Sequence, residues 1–280
     1  MHPPRSEHAR SLHALVGVLL LVGGVGLAGC GGPGDRPAPA FVPADTITSA
    51  VGRDSALAVL TSMRRTAFDS AFAALDRYAV TRYVRTEQLS PSGAVTALRS
   101  YAVQYPDGRR DGRGTVQRRD SAGAFRRGGL FGRAAPARNP AERPANVAGQ
   151  VLPDQPAYVE PRTREAFRYA LGTDTLEDGP PVYVLEATAR DRGTGREQSV
   201  RYVRLLVDRA SRELIGLTTV RADEVLLFRE NSRFHLRLRR APGAPQDWVP
   251  LVTRTRASVH VPFRTPRQFR TVSAYYNYRQ

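Results

Sequence analysis

Hydrophobic positions fall along the chain in textures that change at definable points. Leu12 to Leu27 is an apolar run broken by His13 and several glycines. From Gly31 to Pro43, Gly, Pro and Ala dominate, a composition that builds neither helix nor sheet interior and reads as a semi-stiff tether. Beyond it, Leu57, Leu60, Met63, Phe68, Phe72 and Leu75 recur at helical spacing. They predict a helix over 54–76 opened by Asp54, or two shorter helices jointed near Arg65, because Thr66 and Asp69 are spaced as a capping box.

Past Arg77 the period shortens to two. Segments 78–88 and 95–105 flank Ser90-Pro91-Ser92-Gly93, and Tyr105-Pro106-Asp107-Gly108 turns into a third segment at 115–119. Residues 126–161 are rich in Arg, Pro, Gly and Ala and read as a flexible insertion. A short helix is expected at 162–170, carrying Phe167 and Leu171. Hairpin texture then returns through 182–191, 199–207, 214–222, 225–240, 249–263 and 267–278. The sum is an α+β, mainly β, chain. Roughly eight to eleven strands carry too much apolar surface to lie open, so a strongly curved antiparallel sheet, a half-barrel, is expected to clasp one or two helices.

The first apolar run follows Arg5 and Arg10 and ends at Leu27-Ala28-Gly29-Cys30, whose cysteine is the single one in the chain. The tetrapeptide resembles the lipobox of bacterial lipoproteins. The resemblance implies a signal peptide over 1–29, cleavage after Gly29, and a diacylglyceryl group on Cys30 as the new first residue. Each buried CH₂ contributes about 0.8 kcal/mol, so two or three acyl chains hold a domain on a bilayer where one would not. Residues 30–44 become the tether and 45–280 the folded domain. Gly31 follows the cysteine where Asp would stand in lipoproteins kept at the inner membrane, and by resemblance to the sorting rule of well-studied diderm bacteria this implies outer-membrane delivery, facing the periplasm.

Charge changes the picture further. All 42 basic residues are arginine, against 26 acidic ones, for a net charge of +16. Arg5, Arg10 and Glu7 account for +1 of it, leaving +15 on the mature chain. In an exported protein that charge meets anionic headgroups or acidic envelope polymers, and no nucleic-acid partner is expected. Enzymatic chemistry finds little footing. After signal removal only His235 and His260 remain, no metal-ligand spacing and no Gly-x-Ser-x-Gly elbow occurs, and Gly193-Thr194-Gly195 is a hairpin turn between strands. No cofactor or metal is expected, and oligomeric state is not readable.

A helix soon after the mature N-terminus, followed by successive hairpins in a curved sheet, resembles the LolA/LolB-like lipoprotein carriers and receptors of the bacterial envelope. The resemblance covers roughly residues 45–280 and is one of layout. It implies a non-enzymatic protein with an apolar cavity between sheet and helix that takes acyl chains or lipoprotein segments.

Two sets of residues are candidates for function. Tyr202, Leu206, Phe234, Leu236, Leu238, Val261 and Phe263 form an aromatic and aliphatic stripe that reads either as core or as an acyl-binding lining. Arg233, Arg237, Arg239, Arg254, Arg256 and Arg270 alternate with apolar residues and read either as a solvated face or as a surface for phosphates, which guanidinium groups hold bidentately. Two functions follow. One is an anchored envelope protein holding acyl chains or lipoprotein segments, and the alternative is an adaptor docking an anionic envelope partner through its basic face.

Overall fold

The computed structural model describes residues 52–106, 113–125, 152–153, 155–176, 179–190, 200–225, 228–260 and 265–280. The signal peptide, the lipobox with Cys30, the tether, Val261, Phe263 and most of the expected insertion lie outside the described residues.

Two helices open the described chain, α1 (Arg53–Ser62) and α2 (Thr66–Ala74), followed by a 3-10 turn at Leu75–Arg77. The joint between them has a physical cause. Arg64 is drawn into a backbone bridge, its amide donating to Arg212 O and its carbonyl accepting from Leu214 N, each at 2.8 Å. A residue committed to bonding a distant strand cannot continue a helical ladder.

Ten strands follow: β1 (Ala79–Leu89), β2 (Val95–Tyr105), β3 (Thr115–Ala122), β4 (Phe167–Thr175), β5 (Pro181–Ala189), β6 (Val200–Asp208), β7 (Leu214–Val225), β8 (Phe228–Ala241), β9 (Ala244–His260) and β10 (Arg267–Arg279). They form one antiparallel sheet in the order β3-β2-β1-β10-β9-β8-β7-β6-β5-β4. Every neighbour is a hairpin partner except at β1–β10, where the last strand returns beside the first. The sheet is curved and unclosed, with β3 and β4 as its edges. Edge strand β3 is exposed along most of its length and carries Arg118, Arg119 and Asp120, charges that discourage pairing with another chain.

Two expectations differ from this structure. The predicted short helix at 162–170 is a 3-10 turn at Arg164–Ala166 followed by β4. Phe167, Tyr169 and Leu171 alternate with Arg168, Ala170 and Gly172, and the whole segment hydrogen-bonds to β5. The stretch read as a flexible insertion to residue 161 contains two core residues, Leu152 and Tyr158, the latter edge-on to Phe167 at 6.1 Å.

One face of the sheet receives the helices, α1 over β4 and β5, and α2 over β7 and β9. Phe68, Phe72 and Leu75 pack there in a core with Leu185, Leu205, Leu217, Leu236, Leu238, Trp248 and Tyr275. Phe72 meets Tyr275 edge-on at 6.3 Å. Each such side chain contributes about 1.5–3 kcal/mol by leaving water, so the helices complete the sheet's inner face.

Candidate binding site

Strand alternation and register divide the sheet's side chains between a helix-side face and an outer face. Leu205, Leu217, Leu236 and Thr253 lie side by side across β6 to β9 and point toward the helices. The adjacent ladder, Glu186, Arg204, Thr218, His235, Arg254, Val272 and Arg85 across β5 to β10 and β1, therefore points outward.

The predicted apolar stripe is split by this geometry. Phe234, Leu236 and Leu238 are on the helix side, the last two buried beneath the helices and Phe234 half-buried at their margin. Tyr202 and Leu206 are on the outer face. They pair across the sheet with Val220 and Gly216, and Tyr202 donates a hydrogen bond to Glu186 Oε1 at 2.7 Å. Burial and that bond to a carboxylate raise the Tyr202 hydroxyl above the ordinary tyrosine range.

Past the helices the helix-side face continues as a mixed strip. Phe234 on β8 and Phe269 on β10 are half-buried and lie diagonally across β9, with Thr255 and Ala257 between them. Thr86 and Thr271 face each other with hydroxyl oxygens 3.3 Å apart. Val84 and Ala97 are buried on this strip, apart from the core around the helices, and Gln88 lies beside them, 5% exposed. Arg99 spreads its guanidinium over the Phe125 ring at 5.4 Å.

Of the predicted arginines, Arg233, Arg237, Arg254, Arg256 and Arg270 come together on the outer face. Arg233, Arg256 and Arg270 are successive partners across β8, β9 and β10. Arg239, near the end of β8, carries its guanidinium over Tyr278 at 5.4 Å. Two arginines that sequence reasoning missed join the group, Arg204 and Arg85. The outward positions of β6 read Tyr202-Arg204-Leu206, too apolar to announce a basic face. Two carboxylates lie within this group, both 2% exposed. Glu186 is 3.8 Å from Arg204 Nη1. Glu87 accepts from Arg85 Nε at 2.7 Å and from Arg270 Nε at 2.6 Å.

His235 sits at the centre. Its Nδ1 is 2.9 Å from Thr218 Oγ1. Burial, followed by the charges of Arg254, Arg233, Arg237 and Arg204, pushes the imidazole down to about 4. It is neutral at pH 7, so the outer face gains no charge from it and loses none. What the arrangement offers chemically is a field of fixed guanidinium donors with its carboxylates held beneath. Among the described residues no group of three His, Cys, Asp or Glu side chains is placed to hold a metal ion.

No family model matches the chain, and no curated protein matches it. Solved structures do. A DUF1329 family protein from Desulfovibrio piger is 13% identical, with 81% of this chain and 92% of that one covered and a TM-score of 0.26. A LolA superfamily protein from Nitrosomonas europaea is 14% identical over 82% and 94%, with a TM-score of 0.23. A domain described as that of an outer membrane lipoprotein-sorting protein from Vibrio parahaemolyticus is 11% identical over 81% and 92%, with a TM-score of 0.28.

Proposed function

We propose that the protein is a non-enzymatic envelope protein, anchored through lipidated Cys30 to the outer membrane and facing the periplasm, that holds an acyl chain or lipoprotein segment against the helix side of its curved sheet. The observation that supports this reading is the strip beyond the helices. Half-buried Phe234 and Phe269 flank a lane of Thr255, Ala257, Thr271 and Thr86 on the side of the sheet that carries the helices. An apolar surface with a few hydroxyls suits an acyl chain joined to a polar head. The test is organic extraction of the purified full chain followed by mass spectrometry. A non-covalent acyl ligand, distinct in mass from the covalent anchor and lost in Phe269→Asp, is the expected result; a wild-type protein that yields no such ligand and takes up no fatty acid or lipopeptide overturns it.

A second reading rests on the outer face, where five of the six predicted arginines come together and three of them, Arg233, Arg237 and Arg254, act on His235. There the protein is an adaptor for an anionic envelope partner, with binding that weakens steeply as salt rises. Arg237→Glu with Arg254→Glu should abolish that docking and leave acyl binding intact.

A further inference from the structure

We infer that the outer face docks on the phosphate headgroups of the bilayer that holds Cys30, so that the domain lies sheet-down on its own membrane. This rests on the second reading and names its partner.

Around His235 the charge on this face is positive where solvent reaches it, while exposed Asp120 on β3 and Asp174 on β4 take outward positions at the two edges of the sheet. Arg85, Arg254, Arg256 and Arg270 are exposed, and Arg204, Arg233 and Arg237 are half-buried behind them. Within this group the carboxylates are Glu87 and Glu186, and both lie under the arginines, so neither presents a negative surface to an approaching phosphate. Guanidinium forks bind phosphate oxygens in pairs, and a sheet holds them at fixed spacing without the entropic cost of ordering a loop.

A second observation concerns the rim of the same face. Tyr276 is one of the two large hydrophobic residues most exposed among the described residues, at 39%. It follows Arg270, Val272 and Ala274 on the outward side of β10 and pairs with Thr81. A tyrosine beside a basic surface suits the headgroup level of a bilayer, where an amphipathic ring finds both an apolar and a wet environment.

The third argument is reach. Between Cys30 and Gly52 lie the 21 residues Gly31 to Val51. At ~3.3–3.6 Å per residue their contour is at most about 75 Å, ample for the domain to turn its outer face to the bilayer. Confinement by the anchor keeps that face at high effective concentration near the surface, so modest affinity suffices. Each basic residue near an anionic leaflet favours contact by roughly fivefold, within a screening length of about 8 Å at physiological salt.

Arginine footprinting tests this without a variant that could misfold. The full lipidated chain is reconstituted into vesicles of phosphatidylglycerol or of phosphatidylcholine, treated with phenylglyoxal, and read by mass spectrometry. The anchor is common to both. Arg254, Arg256 and Arg270 should label at least about fivefold less on the anionic vesicles and recover in high salt. Arg64, at the helix joint and 60% exposed, should label equally on both. Equal labelling of the outer-face arginines on the two vesicles, or protection that extends to Arg64, overturns the inference. A parallel arm with soluble inorganic polyphosphate separates the two levels. Protection there but not on vesicles removes the membrane and leaves an anionic partner; protection by neither removes both.

Discussion

Glu213 Oε2 accepts a hydrogen bond from the Ala67 amide at 3.0 Å, so a carboxylate from the β6–β7 turn caps a helix 146 residues away in sequence. The α2 N-terminus has no side-chain cap of its own, and Glu213, 8% exposed, also lies 3.2 Å from Arg64 Nε. The sheet thereby fixes where α2 starts. Glu213→Ala should cost about 2 kcal/mol and lower the melting temperature by roughly 4–8 °C, read by circular dichroism. Glu213→Gln keeps an acceptor and should lose about half as much. Arg64→Ala should cost less again, since that side chain is largely in water.

Such a cap is invisible to local pattern, and it shows where sequence reading stops. Strands β1, β2, β6 and β10 were legible because apolar residues bounded by turn residues leave few alternatives. The arginine face was legible on β8 and β9 because Arg233, His235, Arg237 and Arg239, and then Arg254, Arg256 and His260, share one parity along their strands. Segment 162–170 was not, because Phe167 and Leu171, four residues apart, suit a helix stripe and one side of a strand equally; Tyr169 between them decides for the strand. Tyr202 and Leu206 went to the wrong face for a related reason. β6 buries Val203, Leu205 and Val207 on one side and Tyr202 on the other, so no wet face sets its parity.

Leu206 presses on Gly216 on the outer face, and the contact leaves no room for a side chain. A methyl group at Gly216 would come within 2.8 Å of Leu206 Cδ1 and 3.2 Å of its Cβ. Gly216→Ala should therefore destabilise by about 1–3 kcal/mol through overpacking, measured as a lower urea midpoint with unchanged slope. Adding Leu206→Ala should recover part of the loss, since the clash is with that side chain. An additive double variant would place the strain elsewhere.

The neutral state of His235 gives a pH signature. Its imidazole titrates at about 4 in the folded protein, against about 6.5 in the unfolded chain. Between those values the unfolded state binds a proton that the folded state refuses. The stabilising contribution is thus complete above about pH 6.5 and is lost as pH falls toward 4. The imidazole resonances should move with a midpoint near 4, and Arg254→Gln should raise that midpoint by removing the largest of the neighbouring charges. In His235→Gln, the difference in stability from wild type should change between pH 6.5 and 4 and level off outside that window.

Glu87 also loses its contribution as pH falls, over a more acidic range, and it tests the ion cluster under the arginines. Burial pushes its carboxyl up, but hydrogen bonds from Arg270 and Arg85, with their charges, outweigh that and hold it below the usual glutamate range. Its contribution is therefore fully present above the unfolded value of about 4.3 and is lost as pH falls through the lower folded one. Arg85 and Arg270 are 46% and 51% exposed, so solvent takes up much of what they would lose. Glu87→Gln should cost only about 1 kcal/mol at neutral pH, read by urea denaturation, and the gap from wild type should close in acid. The same substitution removes a negative charge from beneath the outer face. It should strengthen phenylglyoxal protection of Arg270 on phosphatidylglycerol vesicles while weakening the fold, and opposite signs for the two effects would separate a docking role from a structural one.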